Sequence, residues 1–511
     1  MSYNQLQKIS NIKNDRECIL AWLDFGPYAY VNFGIISELS KLNNFDFVGI
    51  VTTRQDMSFF QNQKIIPFKK IIYYPDCYIN KSSFKLDILK KFEEKYELNI
   101  WRDVFSERSF YKYWVDFHKF TKEEIFSIIE NSISFFVNIL ESEKPRLVFM
   151  QQPGENISNL LLYRVAKKTG IRVLTPNPIY IHNKVMISDN IDCREISEEF
   201  AKIMHDQADS TIVYDEEYIK NHSLAKSMDV IASYTHGRSS YYQKIKRYLK
   251  RLADDPEPLY KNAGKTKFKL LKNKYQTYFK VKNRKKFLDE NAIKSIKDEK
   301  FIYFPLQSEP EAIVLIKSPY YANTVTLVEN TAKSIPIDMV LYVKEHPIQK
   351  EKLWRPIEDY QRIIDIPNVK LVHPSVNSQN LISKSQAVIC LSGATGLEAL
   401  FYKKPVILFS DEYYDVVSMI KKVKKITELA SIITDALDNF KFNNMELNAL
   451  MQATEKQAIT IPYFPMMKEA IILSSIQKNG DTDSTINNFQ NFYTRHNEYL
   501  KLAAQIIHAK M

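Results

Sequence analysis

Residues 386–410 read QAVICLSGATGLEALFYKKPVILFS. QAVICLS (386–392) is an apolar run of strand length, GATGLEALFYKK has the composition of a helix, and PVILFS (405–410) is a second apolar run. Runs this continuous do not suit a sheet with one wet face. They predict parallel strands covered on both sides and joined by a helix.

The same alternation extends toward the amino terminus. KFIYFPLQ (300–307), DMVLYVKEHP (338–347) and NVKLVHP (368–374) read as strands, with helices over 319–334 and at SVNSQNLISKS. An earlier unit has strands at 18–24 and 46–52, a helix around 30–42, and a long amphipathic helix over 121–143. KPRLVFMQQPGEN follows as strand and turn, then a helix closed by Gly170, then the strand in IRVLTPNP. Strand–helix alternation in two tandem units predicts an α/β protein of two doubly wound, Rossmann-type domains facing a cleft. The predicted division is an amino-terminal domain over 1–215, a basic and mainly helical connector over 216–299, a second domain over 300–480 and a terminal helix over 481–511.

Composition narrows the function classes. The chain has 511 residues and 10 glycines, where average usage of roughly 7% would give about 36. G-x-G-x-x-G and G-x-x-x-x-G-K-[ST] are both missing from the sequence, so neither glycine-rich phosphate loop can be drawn. Cys18, Cys77, Cys193 and Cys390 form no C-x-x-C pair. The polar first 17 residues and the wide cysteine spacing predict reduced thiols and a cytoplasmic address.

The formal charge is +11, and it is concentrated. Residues 237–300 hold 20 Lys+Arg and 7 Asp+Glu, whereas the rest holds 51 and 53. Three readings fit this segment: a solvated connector, a dock for an anionic membrane or lipid-linked acceptor, and a nucleic-acid surface. In YYQKIKRYLKRL (241–252), Tyr241, Ile245, Tyr248 and Leu249 share a helical face. Lys244, Lys246, Arg247, Lys250 and Arg251, with Arg284, Lys285 and Lys286 further on, are the candidate electrostatic contacts. No nucleic-acid-binding module accompanies them, so no nucleic-acid partner is expected.

Four motifs fall at predicted strand ends, where doubly wound sheets bind ligands. In KEHP, Lys344 and Glu345 precede His346, and Pro347 ends the strand. An imidazole there can hydrogen-bond a phosphate or protonate a leaving group; a plain loop histidine fits as well. In LSGATGLEAL, Ser392, Gly393, Thr395 and Gly396 lie at a helix start, whose N–H groups suit an anion, and Glu398 can accept from a ribose diol. Helix capping explains the same residues. PLQSEPEA places Gln307, Glu309 and Glu311 on a rim loop, where a solvated turn is the simpler account. QQPGEN supplies Glu155, a candidate general base in competition with Asp24 beside Gly26; either carboxylate also fits as a helix cap. His182, His236 and Arg238 are weaker candidates on loops, and the second His-Pro, His373-Pro374, reads as a plain loop histidine.

The order of these motifs over 300–415, YFPLQSEPEA, LYVKEHP and AVICLSGATGLEALFYKKPVILF, resembles the capsule polysaccharide synthesis family, which includes Kdo transferases of bacterial surface glycans. The likeness extends faintly to 145–185. It implies a GT-B fold with the donor nucleotide in the second domain and a terminal helix around 486–509 bracing the first. It implies that His346, Pro347, Ser392 and Thr395 contact the donor phosphate and that Glu398 lies near the ribose. A likeness to sialyltransferase-type enzymes implies a CMP-linked acidic sugar, Kdo or another ulosonic acid. The first-domain loop departs from the family in lacking a clear acidic pair before its glycine.

The function expected is therefore a glycosyltransferase of surface polysaccharide synthesis, peripheral at the inner face of the cytoplasmic membrane. Its partners would be a nucleotide sugar and a glycan or lipid-linked acceptor, with no tightly bound cofactor and no metal. The rivals are a UDP-sugar-dependent GT-B transferase, a teichoic-acid-type polyol-phosphate transferase (a nucleotide-sugar 2-epimerase shares the shape), and a non-catalytic polyanion- or membrane-binding protein.

Overall fold

The computed structural model describes residues 16–23, 27–79, 83–110, 117–154, 156–206, 214–224, 259–309, 311–346, 355–477 and 482–511. The first sheet contains β1 (Cys18–Leu23), β2 (Asp46–Val51), β3 (Phe68–Tyr73), β4 (Leu147–Phe149), β5 (Arg172–Pro178) and β6 (Lys184–Ser188). Its order is β6-β5-β4-β1-β2-β3, and the last five of these run parallel. Every residue of β1, CILAWL, is buried. A strand with parallel neighbours on both edges and helices on both faces has no wet side, which is why its sequence does not alternate.

The second sheet contains β7 (Phe301–Pro305), β8 (Val340–Lys344), β9 (Val369–Val372), β10 (Ala387–Cys390), β11 (Val406–Leu408) and β12 (Ile420–Lys422). All are parallel, in the order β12-β11-β10-β7-β8-β9. Strand order reverses between β1 and β4 in one sheet and between β7 and β10 in the other. Connections leave opposite faces at such a point, and a crevice opens beyond the carboxyl ends. The architecture is α/β and GT-B-like, with two Rossmann-like sheets.

Helix Lys122–Glu143 begins at a capping box, in which the Thr121 side chain accepts from Glu124 N and the Glu124 carboxylate accepts from Thr121 N. It is long and apolar enough to cross a membrane. Its Ile129, Ile133 and Phe136 instead pack under β1, with Phe136 against Trp22 and Tyr74.

The expected boundary at 480 is displaced. The chain returns to the first sheet at β13 (Ile459–Thr460), which pairs antiparallel with β6. Met466, Met467 and Ala470 of helix Tyr463–Gln477 are already in the first core. Helix Thr482–Lys510 then lies on helix Pro27–Leu39 and buries Phe489, Phe492, Leu500, Ala504 and Ile507. Of the expected connector, residues 225–258 lie outside the described residues, Lys244, Lys246, Arg247, Lys250 and Arg251 among them.

Gly34 sets the approach of those two helices: a Cβ at this position would stand 2.8 Å from Leu500 Cδ1. Gly34→Val should therefore cost about 1–3 kcal/mol by overpacking. Combining it with Leu500→Ala should recover part of that loss, a coupling that urea denaturation of the single and double variants measures.

Candidate active site

Strands β7 and β10 are neighbours, and their exits are tied together. Gln307 Nε2 donates to the Ser392 carbonyl oxygen at 2.7 Å. Gly393 takes φ +101°, a conformation that L side chains rarely adopt, and so turns the chain into helix Ala394–Phe401. Thr395 is half-buried at the helix start.

The donors of this turn converge on a carboxylate that the sequence reading missed. Ser392 Oγ donates to Glu412, Gly393 N reaches Glu412 Oε1 at 3.3 Å, and Ser410 Oγ reaches it at 3.4 Å. Tyr180 OH, from the first-domain side, lies 3.2 and 3.1 Å from its two oxygens. Lys317 Nζ stands 3.4 Å from Glu412 Oε2 and 3.4 Å from Asp192 Oδ1. Glu412 is thus an internal anion at the place where a phosphate was expected, and its contacts join the two halves of the molecule.

Two expected ligand contacts have other duties. Gly396 is buried, and a Cβ on it would lie 2.5 Å from Tyr414 OH. That hydroxyl donates to Gly393 O at 2.7 Å, so the missing side chain makes room for a tyrosine rather than for a ligand. Glu398 is buried on the inner side of the helix and accepts from Ser223 Oγ. Burial pushes its carboxyl above the usual range, against the Ser223 hydrogen bond and the Lys344 charge. A carboxylate held this way does not face an open ribose site.

At the end of β8, Lys344 is buried and its Nζ donates to Ser378 Oγ at 2.6 Å. Glu345 is buried too. Its Oε2 accepts from Arg355 Nε at 2.7 Å and Tyr360 OH at 2.6 Å, while Oε1 accepts from His346 N at 2.6 Å. Arg355 also donates to Glu309 Oε2 (3.1 Å), Thr324 Oγ1 (3.0 Å) and the Gln307 carbonyl (3.2 Å). Burial opposes the Arg355 charge, but Glu345 and Glu309 outweigh it and hold its pKa above the ordinary arginine value. Burial raises the Glu309 pKa, with Arg355 opposing. His346 stands half-buried on the resulting rim. Two parallel strand spacings, about 10 Å, separate the ends of β8 and β10. Glu311 is half-buried at the start of helix Ala312–Lys317, and Pro347 lies outside the described residues.

Arg284 was expected on the electrostatic surface. It points inward instead, buried near Tyr360 and Glu345, and burial lowers its pKa. His373 holds a loop through Ser375 (2.6 Å) and Asp289 (3.3 Å). His182 meets His222 by a backbone hydrogen bond of 2.7 Å.

At the first sheet's reversal point, Gln151 follows β4 with no exposed surface and with both amide atoms unpartnered. Gly154 (φ +115°) donates from N to Asn159 Oδ1 at 2.9 Å. Buried Glu107 supports the loop by accepting from Ile157 N and Tyr260 OH, each at 2.8 Å. Asp24, Gly26 and Glu155, along with His236 and Arg238, lie outside the described residues. Among the described residues, no group of three or more His, Cys, Asp or Glu could hold a metal ion.

Arg355→Met should leave the buried Glu345 and the partly buried Glu309 without their countercharge and cost about 3–5 kcal/mol. Adding Glu345→Gln and Glu309→Gln should restore most of it. Thermal unfolding of the single and triple variants checks both outcomes.

Residues 210–427 match the family model described as Capsule polysaccharide biosynthesis protein. Protein FixF of Sinorhizobium fredii (strain NBRC 101917 / NGR234) is 28% identical over 123 residues, 24% of this chain and 29% of that protein. The alignment therefore spans less than a third of that relative. Among solved structures, the Thermosulfurimonas dismutans KpsC β-Kdo 2,7 transferase is 16% identical and covers 62% of this chain and 78% of its own, with a TM-score of 0.33. The UDP-GlcNAc 2-epimerase of Methanocaldococcus jannaschii is 15% identical and covers 85% and 98%, with a TM-score of 0.25. Neither structural likeness bears on chemistry. The second sheet, with its Gln307, His346 and Ser392 rim, falls inside the span, residues 210–427, over which the chain is similar to the capsule polysaccharide biosynthesis family.

Proposed function

We propose that the protein is a glycosyltransferase of surface polysaccharide synthesis, transferring an acidic sugar from a CMP-linked donor to a glycan hydroxyl. One observation carries this reading: Gln307, His346 and the Ser392–Gly393 turn follow the carboxyl ends of the adjacent strands β7, β8 and β10, at the strand-order reversal of a parallel sheet, with Gln307 bonded to the turn. The family match over the same span supports it.

In this reading the acceptor hydroxyl attacks the anomeric carbon, the bond from that carbon to the donor phosphate oxygen breaks, and CMP leaves. Charge develops on the departing phosphate. His346 would donate to it, and the Ser392 hydroxyl and the amides at the start of helix Ala394–Phe401 would stabilise it. A CMP sugar carries one phosphodiester charge, which these donors can match, so turnover is expected to persist in EDTA. Glu155 or Asp24 would accept the acceptor proton. The enzyme would work at the cytoplasmic face of the membrane.

The Ser392 and Gly393 donors now serve Glu412, so a donor phosphate would have to take them over. Glu412→Gln removes the competing charge and should tighten CMP binding about tenfold, roughly 1.4 kcal/mol. Unchanged or weaker binding by calorimetry would show that the phosphate does not use this turn.

A thermal-shift panel of CMP, UMP, UDP, CDP and GDP tests the nucleotide. CMP at ~100 times its dissociation constant should stabilise by about 2.7 kcal/mol. Product analysis with CMP-Kdo, UDP-sugars and CDP-glycerol tests the reaction. Consumption of CDP-glycerol alone would convert the assignment to polyol-phosphate transfer, and His346→Ala should abolish turnover in a folded chain.

A further inference from the structure

Helix Lys267–Asn291 is 25 residues long, about 37 Å at the usual rise. It is held at both ends. Thr266 caps its start, Lys269 Nζ donates to the Phe117 carbonyl at 3.1 Å, and the preceding Gly264 sits so close that a Cβ would be 2.3 Å from Phe117 O. Near its far end, Arg284 and Leu288 are buried.

Between these anchors, the large side chains that a core helix would bury face outward. Phe268, Leu271, Tyr275, Tyr278 and Phe279 are between 41% and 75% exposed. At about 100° per residue they fall within one stripe roughly 100° wide, on the side opposite Arg284. Lys267, Lys274 and Lys285 line one flank and Lys272 the other, while Lys282 and Lys286 continue the stripe toward its carboxyl end.

We infer that this face docks onto an anionic lipid bilayer. Phenylalanine and tyrosine rings settle at the headgroup boundary, and lysines beside them keep their stems along apolar surface while the ammonium groups reach lipid phosphates. The helix carries nine Lys/Arg against two Asp/Glu. Charge selects the occupant: a second copy of the helix would set lysines against lysines, whereas an anionic membrane complements them. The inward Arg284, beside Tyr360 and Glu345, connects the same helix to the carboxylate that accepts from His346 N. The docking face and the support of the site loop are thus opposite sides of one helix. The inference needs only this helix and stands whether or not the protein transfers a sugar.

Flotation of the full chain with phosphatidylcholine vesicles, with and without 40 mol% phosphatidylglycerol, tests it. Binding is expected to the anionic vesicles only and should fall steeply as salt rises. Each lysine near the surface contributes about fivefold, so Lys272→Gln, Lys274→Gln and Lys285→Gln together should weaken partitioning by about a hundredfold. Phe268→Ser with Tyr275→Ser and Tyr278→Ser should also abolish flotation. All six positions are exposed, so an unchanged melting temperature serves as the folding control. Equal binding to neutral vesicles, or undiminished binding by either variant, overturns the inference. So does tighter binding to single-stranded RNA that depends on the same residues, which would make the face a nucleic-acid surface.

Discussion

A single guanidinium organises the rim of the candidate site. Arg355 reaches Glu345 at the end of β8, Glu309 and the Gln307 carbonyl after β7, and Thr324 at the next helix start. Beyond the backbone bond from Leu306 N to the Lys344 carbonyl at 2.9 Å, the loops after β7 and β8 are tied by side chains. Arg355 supplies that tie. The buried Glu345 and the partly buried Glu309 keep it charged, and its five donors in a fixed fork hold the loops in one geometry. The position of His346 follows, because its amide is bound to the same Glu345.

The second organising feature is a carboxylate. Glu412 collects hydroxyl, amide and ammonium donors from both sides of the cleft. A helix start beside a positively charged lysine favours negative charge, and a side chain from the neighbouring loop supplies it. The Ser392–Gly393 turn and the contact between the two halves thereby draw on the same hydrogen bonds. A ligand phosphate that competes with Glu412 also competes with a contact reaching Tyr180.

How far the fold could be read in advance varies with burial. Strands covered on both faces declare themselves, as CILAWL, AVIC and VIL do. Strand β3, FKKIIY, carries two exposed lysines at the sheet edge and breaks its own apolar run. The return at Ile459–Thr460 is two residues long, and no periodicity can be detected at that length. Within the candidate site, Gln307, His346 and Ser392 could be singled out because each comes two residues after a strand. Arg355 and Glu412 sit in WRPIED and SDEYY, stretches that read as polar surface. Arg284 is hidden in a lysine-rich run, and only packing shows that it alone turns inward.

The sequence by itself determined two largely parallel sheets, the strand ends that could carry a site, and the location of the positive charge. These follow from local rules: apolar runs, turn residues and net charge need no partner to be recognised. Tertiary structure alone decided that Gly396 accommodates Tyr414, that Glu398 answers Ser223, that Glu412 fills the anion position, and that Phe268, Tyr275 and Tyr278 face away from the body. Each of those outcomes is set by which side chain meets which across long sequence separations, and a hydrogen bond or a buried charge has no meaning until both partners are in place.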